Sequence, residues 1–359
     1  MKPRARSADR ATGALFDAPE PAERRLAGPA IVAGIDEAGL GPLLGPLTLG
    51  VCALRVPEHA LDPWTELAHV ASASIDDDAA KFVVADSKVV FTRNPRGARR
   101  LERTVLGFLA ARQRFPALAQ DARAFLRAIE RMERSALEDE FFADELDARL
   151  PRHAEPGALL LDATALADGL RSRAIELVEL RTTALTPRAL NASFAETDNK
   201  SRTHWLATRA LLHDLWTRFA ADPALPLDVV VDRQGGRMHY AAALEEAFPR
   251  ARVVLVSETA PLSAYRVEEP ATGRSSARSM HIAFREKAEH ASFAVALASC
   301  AAKFSRELSM DAFNAWFSKR DPKLLPTAGY VEDGRRWLAD AAAVVERERI
   351  PAEHLVRNR

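Results

Sequence analysis

Asp36 and Glu37 stand side by side within residues 34–46, GIDEAGLGPLLGP, and no other stretch of the chain is as rich in chemistry. They appear where an apolar run, Ala30-Ile31-Val32-Ala33-Gly34-Ile35, gives way to a turn rich in Gly and Pro. That run has the small, β-branched make-up of a buried strand. An acidic pair leaving a buried strand is costly unless a cation or a hydrogen-bond network receives it. A metal site is the simplest receiver. Neighbouring side chains on a strand point to opposite faces, so convergence of the pair on one centre predicts a distortion at the strand end. Taken alone, such a pair is more commonly a helix cap or a solvated turn. The glycine spacing Gly39-x-Gly41-x-x-x-Gly45 is one residue too long for a dinucleotide loop, and Pro42 and Pro46 would spoil the helix that such a loop opens.

Two further carboxylates join the pair. Residues 227–232, LDVVVD, read as a second buried strand ending in an acid, Asp232, and Glu289 precedes a helix around 290–308 rich in Ala and Ser. If the two strands lie side by side, their acids meet at one edge of the sheet, where ligands of such sheets tend to bind. A set of hard oxygen donors calls for Mg²⁺ or Mn²⁺ rather than zinc. A pair of such ions activates water and stabilises the leaving oxygen in phosphodiester cleavage. Asp232 or Glu289 alone would be an ordinary turn or cap residue, and their weight comes from occurring together.

The elements that must position these acids follow from periodicity. Residues 47–54 predict a hairpin partner for the first strand, and 63–73 a helix. An apolar stretch, 82–85, leads into Asp86-Ser87-Lys88. Residues 97–197 are mostly helix-favouring, with breaks around Pro116, Pro151, Pro156 and Pro187. An amphipathic helix is predicted over 199–220, with Trp205, Leu206, Leu211, Leu212 and Trp216 on its apolar side. Another helix (239–248), a strand (251–256), a polar stretch (257–281) and a last helix (332–347) follow. Strands alternating with helices argue for a mixed α/β sheet.

Composition narrows the partners. The 359 residues balance 50 basic against 50 acidic groups, so no global field draws the chain to a polyanion, which a local patch would have to hold. Cys52 and Cys300 lie in apolar surroundings and read as reduced core residues. No apolar run approaches a membrane span, and the cytoplasm is the expected compartment. The first 27 residues carry Arg and acids without an apolar core, which predicts a disordered tail rather than a signal peptide.

GIDEAGLGPLLGP resembles the opening motif of the type 2 ribonucleases H (ribonuclease HII and HIII), GxDEAGxGP. The resemblance continues in order. Asp86-Ser87-Lys88 matches their DSK motif, Asn199 and its helix precede the strand ending in Asp232, and Lys287, Glu289, Ser299, Lys303 and Arg306 keep the family's later spacing. Tyr330, after Gly329, sits like the family's substrate-stacking tyrosine. Only 8 Lys stand against 42 Arg, yet Lys88, Lys287 and Lys303 all fall inside these motifs.

The resemblance implies an RNase H-like fold: a mixed five-stranded sheet flanked by helices, with a helical insertion and a helical C-terminal part. Its domains would be a core from 28–96 and 198–310, an insertion over 97–197, and a helical part over 311–359. The implied activity is endonucleolytic hydrolysis of the RNA strand of an RNA–DNA hybrid, or of a ribonucleotide embedded in duplex DNA, leaving 5′-phosphate and 3′-hydroxyl ends. Asp36, Glu37, Asp232 and Glu289 would be catalytic and hold Mg²⁺ or Mn²⁺, two ions during catalysis. Gly39, Leu40 and Gly41 would face the ribose 2′-hydroxyl, which distinguishes RNA from DNA. Lys88 and Arg306 would contact phosphate or order the site, and Tyr330 would stack on a sugar or base. The chain departs from the pattern at Leu40, where a basic residue is usual, at Arg233, where Gly is usual, and in the length of 97–197. Leu40 and the insertion leave open a non-catalytic relative that binds nucleic acid or a protein partner. A nuclease of changed specificity on the same fold is a further alternative.

Overall fold

The alternation of small and β-branched residues from Ala30 onward produces a strand that does not stop at the acids. In a computed structural model that describes residues 28–273 and 276–358, β1 spans Ala30–Ala38, and β2, Leu47–Val56, pairs with it antiparallel. The ladder runs regularly through Asp36↔Gly50 and Glu37↔Leu49. The distortion expected at the acidic pair is therefore absent. The tail expected over residues 1–27 lies outside the described residues.

Two short helices, α1 (Pro63–Glu66) and α2 (Ser87–Val90), flank a small parallel ribbon of β3 (Ala71–Ser72) and β4 (Phe82–Val83). Three helices follow, α3 (Pro95–Ala111), α4 (Ala122–Glu130) and α5 (Pro156–Ser172). The side chains of Asn94, Asp121 and Glu155 accept from first-turn N–H groups at their starts. Then β5 (Glu176–Leu185) returns to the sheet beside β2. This corrects the helical reading of 97–197. It includes Val178, Thr182 and Thr183, but its burial alternation slips at Glu179 and Leu180, beside a bulge in the ladder, and helix-favouring neighbours on both sides masked the rest.

The remaining elements are α6 (Pro187–Thr197), α7 (Lys200–Phe219), β6 (Leu227–Asp232), α8 (Ala241–Ala247), β7 (Arg252–Thr259), β8 (Leu262–Glu269) and β9 (Arg278–Arg285). They are followed by α9 (Phe293–Arg320), α10 (Val331–Glu348) and α11 (Ala352–Leu355). Strands β8 and β9 occupy much of the stretch read as merely polar. Ser263, Tyr265, Val267, Met280, Ile282 and Phe284 are buried and the residues between them more exposed, so half of each strand reads as polar.

The fold class is the expected mixed α/β sheet flanked by helices, but the sheet has seven strands rather than five. Their order is β5-β2-β1-β6-β9-β8-β7. The pairs β1–β6 and β6–β9 are parallel, and the other four are antiparallel. The hairpin β7–β8 forms one edge.

Each face of the sheet buries its own cluster. On one side Cys52 and Leu54 join α9, α3 and α4 through Leu101, Phe108 and Phe125. Edge-to-face pairs Phe108–Phe293 at 5.9 Å and Phe125–Phe304 at 5.0 Å mark that seam. On the other side Ile31, Ile35 and Leu49 pack against Trp205, Leu212 and Trp216 of α7. Helix α9 can lie against β1 and β2 because Gly34 and Gly50 offer no side chain. A Cβ on Gly34 would stand 2.2 Å from the Val295 nitrogen, and one on Gly50 2.2 Å from the Ala298 oxygen. Gly50→Ala would push α9, and with it Ser299 and Arg306, off the sheet.

Candidate metal centre

The parallel register of β1 and β6 ends with Ile35 opposite Val231, so Asp36 and Asp232 are the next residues on neighbouring strands. Asp36 is buried and is hydrogen-bonded by Ser299 of α9, while its Oδ1 accepts the Glu37 N–H at 2.7 Å. Glu37 turns to the other face, its Oε2 3.4 Å from Nε2 of the buried His204 of α7. Asp232 accepts the Ala288 N–H at 3.2 Å, which ties β6 to the turn Ala288–His290 that carries Glu289. Glu289 is 9% exposed.

These acids act on one another. Burial, then the charges of Glu37 and Asp232, push the Asp36 carboxyl well above the usual range. Burial raises Asp232 to about 6, with Glu289 and Glu37 adding to the rise and the Ala288 N–H and Lys88 opposing it. Burial pulls the Lys88 ammonium down, but Asp86, Asp36, Glu289 and Asp232 together hold it above its ordinary value. Four acids from two strands and two turns therefore share one electrostatic neighbourhood with Lys88.

Within it, donor atoms of Asp86, Glu289 and His290 lie within 4.8 Å of one another, the one such group among the described residues. Sequence reasoning used Asp86 only as the first letter of a motif and passed over His290. Adjacency of His290 to Glu289 was the available clue. Asp86 also caps α2, accepting the Lys88 N–H at 2.9 Å, and Ser87 Oγ lies 3.0 Å from Ser299 Oγ. The motif 86–88 is thereby fixed to α9, beside Asp36.

The remaining expected site residues divide into two groups. Lys88 and Tyr330, half-exposed, line an open cleft of about 470 Å³ with Phe91, Arg93 and Lys303. Lys303 lies 4.7 Å over the Phe91 ring and pairs with Glu307 at 2.7 Å. Arg306, by contrast, is 1% exposed and donates to Leu44 O at 3.5 Å and Ala328 O at 3.1 Å. Of the two expectations for Arg306, this geometry fits ordering of the site, not contact with phosphate. Gly39 has φ +90°, and a Cβ there would meet Arg306 Nε at 2.3 Å, whereas nothing stands within 4 Å of a Cβ on Gly41. Leu40 packs in a small apolar niche with Leu47, Leu190 and Phe194, so its unusual side chain is absorbed by packing. Arg233, where Gly was expected, is buried and donates to Ala260 O and to Glu286 Oε1, joining the end of β6 to the β7–β8 turn.

Oxygen donors that repel one another, with one imidazole beside them, suit a divalent cation. No helix among the described residues is long and apolar enough to cross a membrane.

No family model and no curated relative match the chain. Solved structures similar to it include ribonuclease HII of Archaeoglobus fulgidus in its complex with PCNA, at 15% identity and a TM-score of 0.39, over 92% of this chain and 94% of that one. Ribonuclease H2 of Pyrococcus horikoshii OT3 aligns at 14% identity and a TM-score of 0.39, over 90% and 92% of the two chains. Bst-RNase HIII in complex with Mn²⁺ aligns at 14% identity and a TM-score of 0.40, over 92% and 67%.

Proposed function

We propose that this chain is a metal-dependent endonuclease of the type 2 ribonuclease H kind. It would hydrolyse the RNA strand of RNA–DNA hybrids, or ribonucleotides embedded in duplex DNA, leaving 5′-phosphate and 3′-hydroxyl ends. The observation that carries this reading is the placement of Asp36 and Asp232 on adjacent parallel strands, with the charge of Glu37 felt by both and that of Glu289 by Asp232.

Asp36, Glu37, Asp232 and Glu289 would hold Mg²⁺ or Mn²⁺, with Asp86 and His290 beside Glu289. The bound ions would supply an activated water and charge stabilisation at the leaving oxygen. The protein's own residues do the rest. Ser299 and the Glu37 N–H fix the Asp36 carboxylate, and the Ala288 N–H fixes that of Asp232. Lys88 brings a compact positive charge to where a phosphate would lie, and Tyr330 offers an exposed ring at the cleft wall for stacking. The backbone at Gly39–Gly41 can approach a 2′-hydroxyl because Gly41 has open space before it.

The test is a panel of RNA–DNA hybrid, single-ribonucleotide duplex and plain DNA, each with Mg²⁺ or Mn²⁺. The chain should nick the first two and spare the third. Asp36→Asn and Asp232→Asn should each lower the rate on the order of a thousandfold while unfolding stays cooperative. Undiminished cleavage by both variants would rule out this site. Hybrid binding with neither metal binding nor cleavage would instead support the non-catalytic relative.

A further inference from the structure

The loop 39–45 contains three glycines, which on either side of Pro42 leave its backbone few conformational restraints of its own. Its restraint comes from two buried guanidiniums. Arg357, 6% exposed, donates from Nε to Gly45 O at 2.7 Å and from Nη1 to both Gly39 O and Pro42 O. Its backbone N–H donates to Leu43 O at 3.0 Å, and Arg306 reaches Leu44 O. Carbonyls of five loop residues are thus held from beneath. The strut is itself anchored, because Asn191 of α6 donates to Val356 O at 2.8 Å and accepts the Asn358 N–H at 2.6 Å.

The loop's other polar groups are treated differently. Among the described residues, the N–H groups of Leu40 and Gly41 have no acceptor within the chain, while those of Leu43 and Leu44 donate to Gly329 O. Two guanidiniums are also an expensive way to hold a turn. Arg306 Nε and Arg357 Nη2 are buried without partners. Burial, and then the charge of Arg306, push Arg357 down to about 9. An arrangement that keeps two cations close together and incompletely satisfied fits a functional demand better than simple turn closure.

We propose that Arg357 is a positioning residue: it turns the loop's carbonyls inward and leaves the Leu40 and Gly41 N–H groups free to recognise the 2′-hydroxyl of a ribonucleotide. This rests on the functional reading above, in which the outer side of the loop meets substrate. A lysine could not fork between the Gly39 and Gly45 carbonyls as the planar guanidinium does.

The full chain would be compared with Arg357→Lys and Arg357→Gln in EDTA, so that no cleavage occurs. The readout is the affinity for two duplexes that differ by a single 2′-hydroxyl. The wild-type chain should favour the ribonucleotide duplex. Arg357→Gln should lower that preference roughly tenfold while affinity for plain DNA changes less than about twofold, and Arg357→Lys should fall between. A preference that survives in a folded Arg357→Gln overturns the positioning role and leaves the nuclease reading intact. A wild-type chain without any preference sinks the reading of the loop itself. Hydrogen exchange on the wild-type chain needs no variant. Leu40 and Gly41 amides should exchange fast when free and slow only with the ribonucleotide duplex, and equal slowing by both duplexes would overturn the proposal.

Discussion

Two groups of buried acids, one carried between α3 and β5 and one where β1 and β6 end, are treated in opposite ways. In the connection from α4 to α5, Glu138 lies between Arg127 and Arg123, and Arg127 Nε reaches its Oε1 at 2.8 Å. The Arg127 hydrogen bonds, working against burial and aided by the Ser135 N–H and by Arg123, hold Glu138 down at about 2. Glu102 accepts the N–H groups of Arg152, His153 and Ala154, and the fully buried Glu179 faces Arg112, Arg131 and Arg218. At the sheet edge, Asp36 and Asp232 are instead pushed up, and the cation that acts on both of them and on Glu289 is the exposed Lys88. Acids meant only for structure are neutralised by the protein. The set left repelling itself is the one fit to be neutralised by a bound cation.

The largest test of that contrast is the response to metal. A cation that binds only the folded chain stabilises it by about 2.7 kcal/mol at a hundredfold excess over its dissociation constant, which raises Tm by several degrees. Mn²⁺ should give such a shift in the wild-type chain and in Glu138→Gln. The double variant Asp36→Asn, Asp232→Asn should not show it. Equal shifts in all three, measured by calorimetry, would mean that the sheet edge is not where the ion goes.

Without metal the order reverses. Glu138→Gln breaks charge-assisted bonds to two arginines and should cost about 1–3 kcal/mol in urea denaturation at pH 7. Asp232→Asn removes a carboxyl whose folded value lies above its unfolded one, so it should cost less or even stabilise. The signs differ with pH as well. The stability due to Glu138 is present above about 4.5 and lost as pH falls toward 2, whereas that linked to Asp232 is full below 3.8 and lost as pH rises through about 6. Matching pH profiles for the two variants would erase the distinction.

The part of this contrast legible in the sequence was the part carried by short motifs. Asp36, Glu37 and Asp232 stood out because acids ending apolar runs are costly, and Glu289 only by occurring together with them. The helix that becomes α9 was legible in its Ala and Ser, but not the approach that Gly34 and Gly50 allow it. Strand β5 was hidden because its interrupted alternation sits among residues that favour helices, and β8 and β9 because each shows a polar half. The role of Arg357 was out of reach, since the residues it holds lie more than 300 positions away and nothing local marks it. His290 was legible in principle, but a histidine beside an acid becomes a ligand candidate only when Asp86 is seen to meet it.

The smallest effect, and the sharpest check on the comparison, comes from an exception beside Glu138. Glu130, at the end of α4, is buried with Oε1 unpartnered. Burial raises it to about 7, against a hydrogen bond from Ser135 and with help from the charge of Glu138. Its folded value thus lies above its unfolded one. The stability linked to it is full below about 4.5 and is lost as pH rises through 7. Glu130→Gln should therefore match the wild-type chain near pH 4 and exceed it at pH 8. The gain should be about 1 kcal/mol, less than the shift alone implies, because the new amide brings donors that the same pocket must satisfy. Urea midpoints across this range measure it directly. If the two chains stay parallel from pH 4 to pH 8, Glu130 is not an uncompensated acid. If they diverge as expected, the presence of an arginine partner, rather than location between α3 and β5, decides how this chain treats a buried carboxylate.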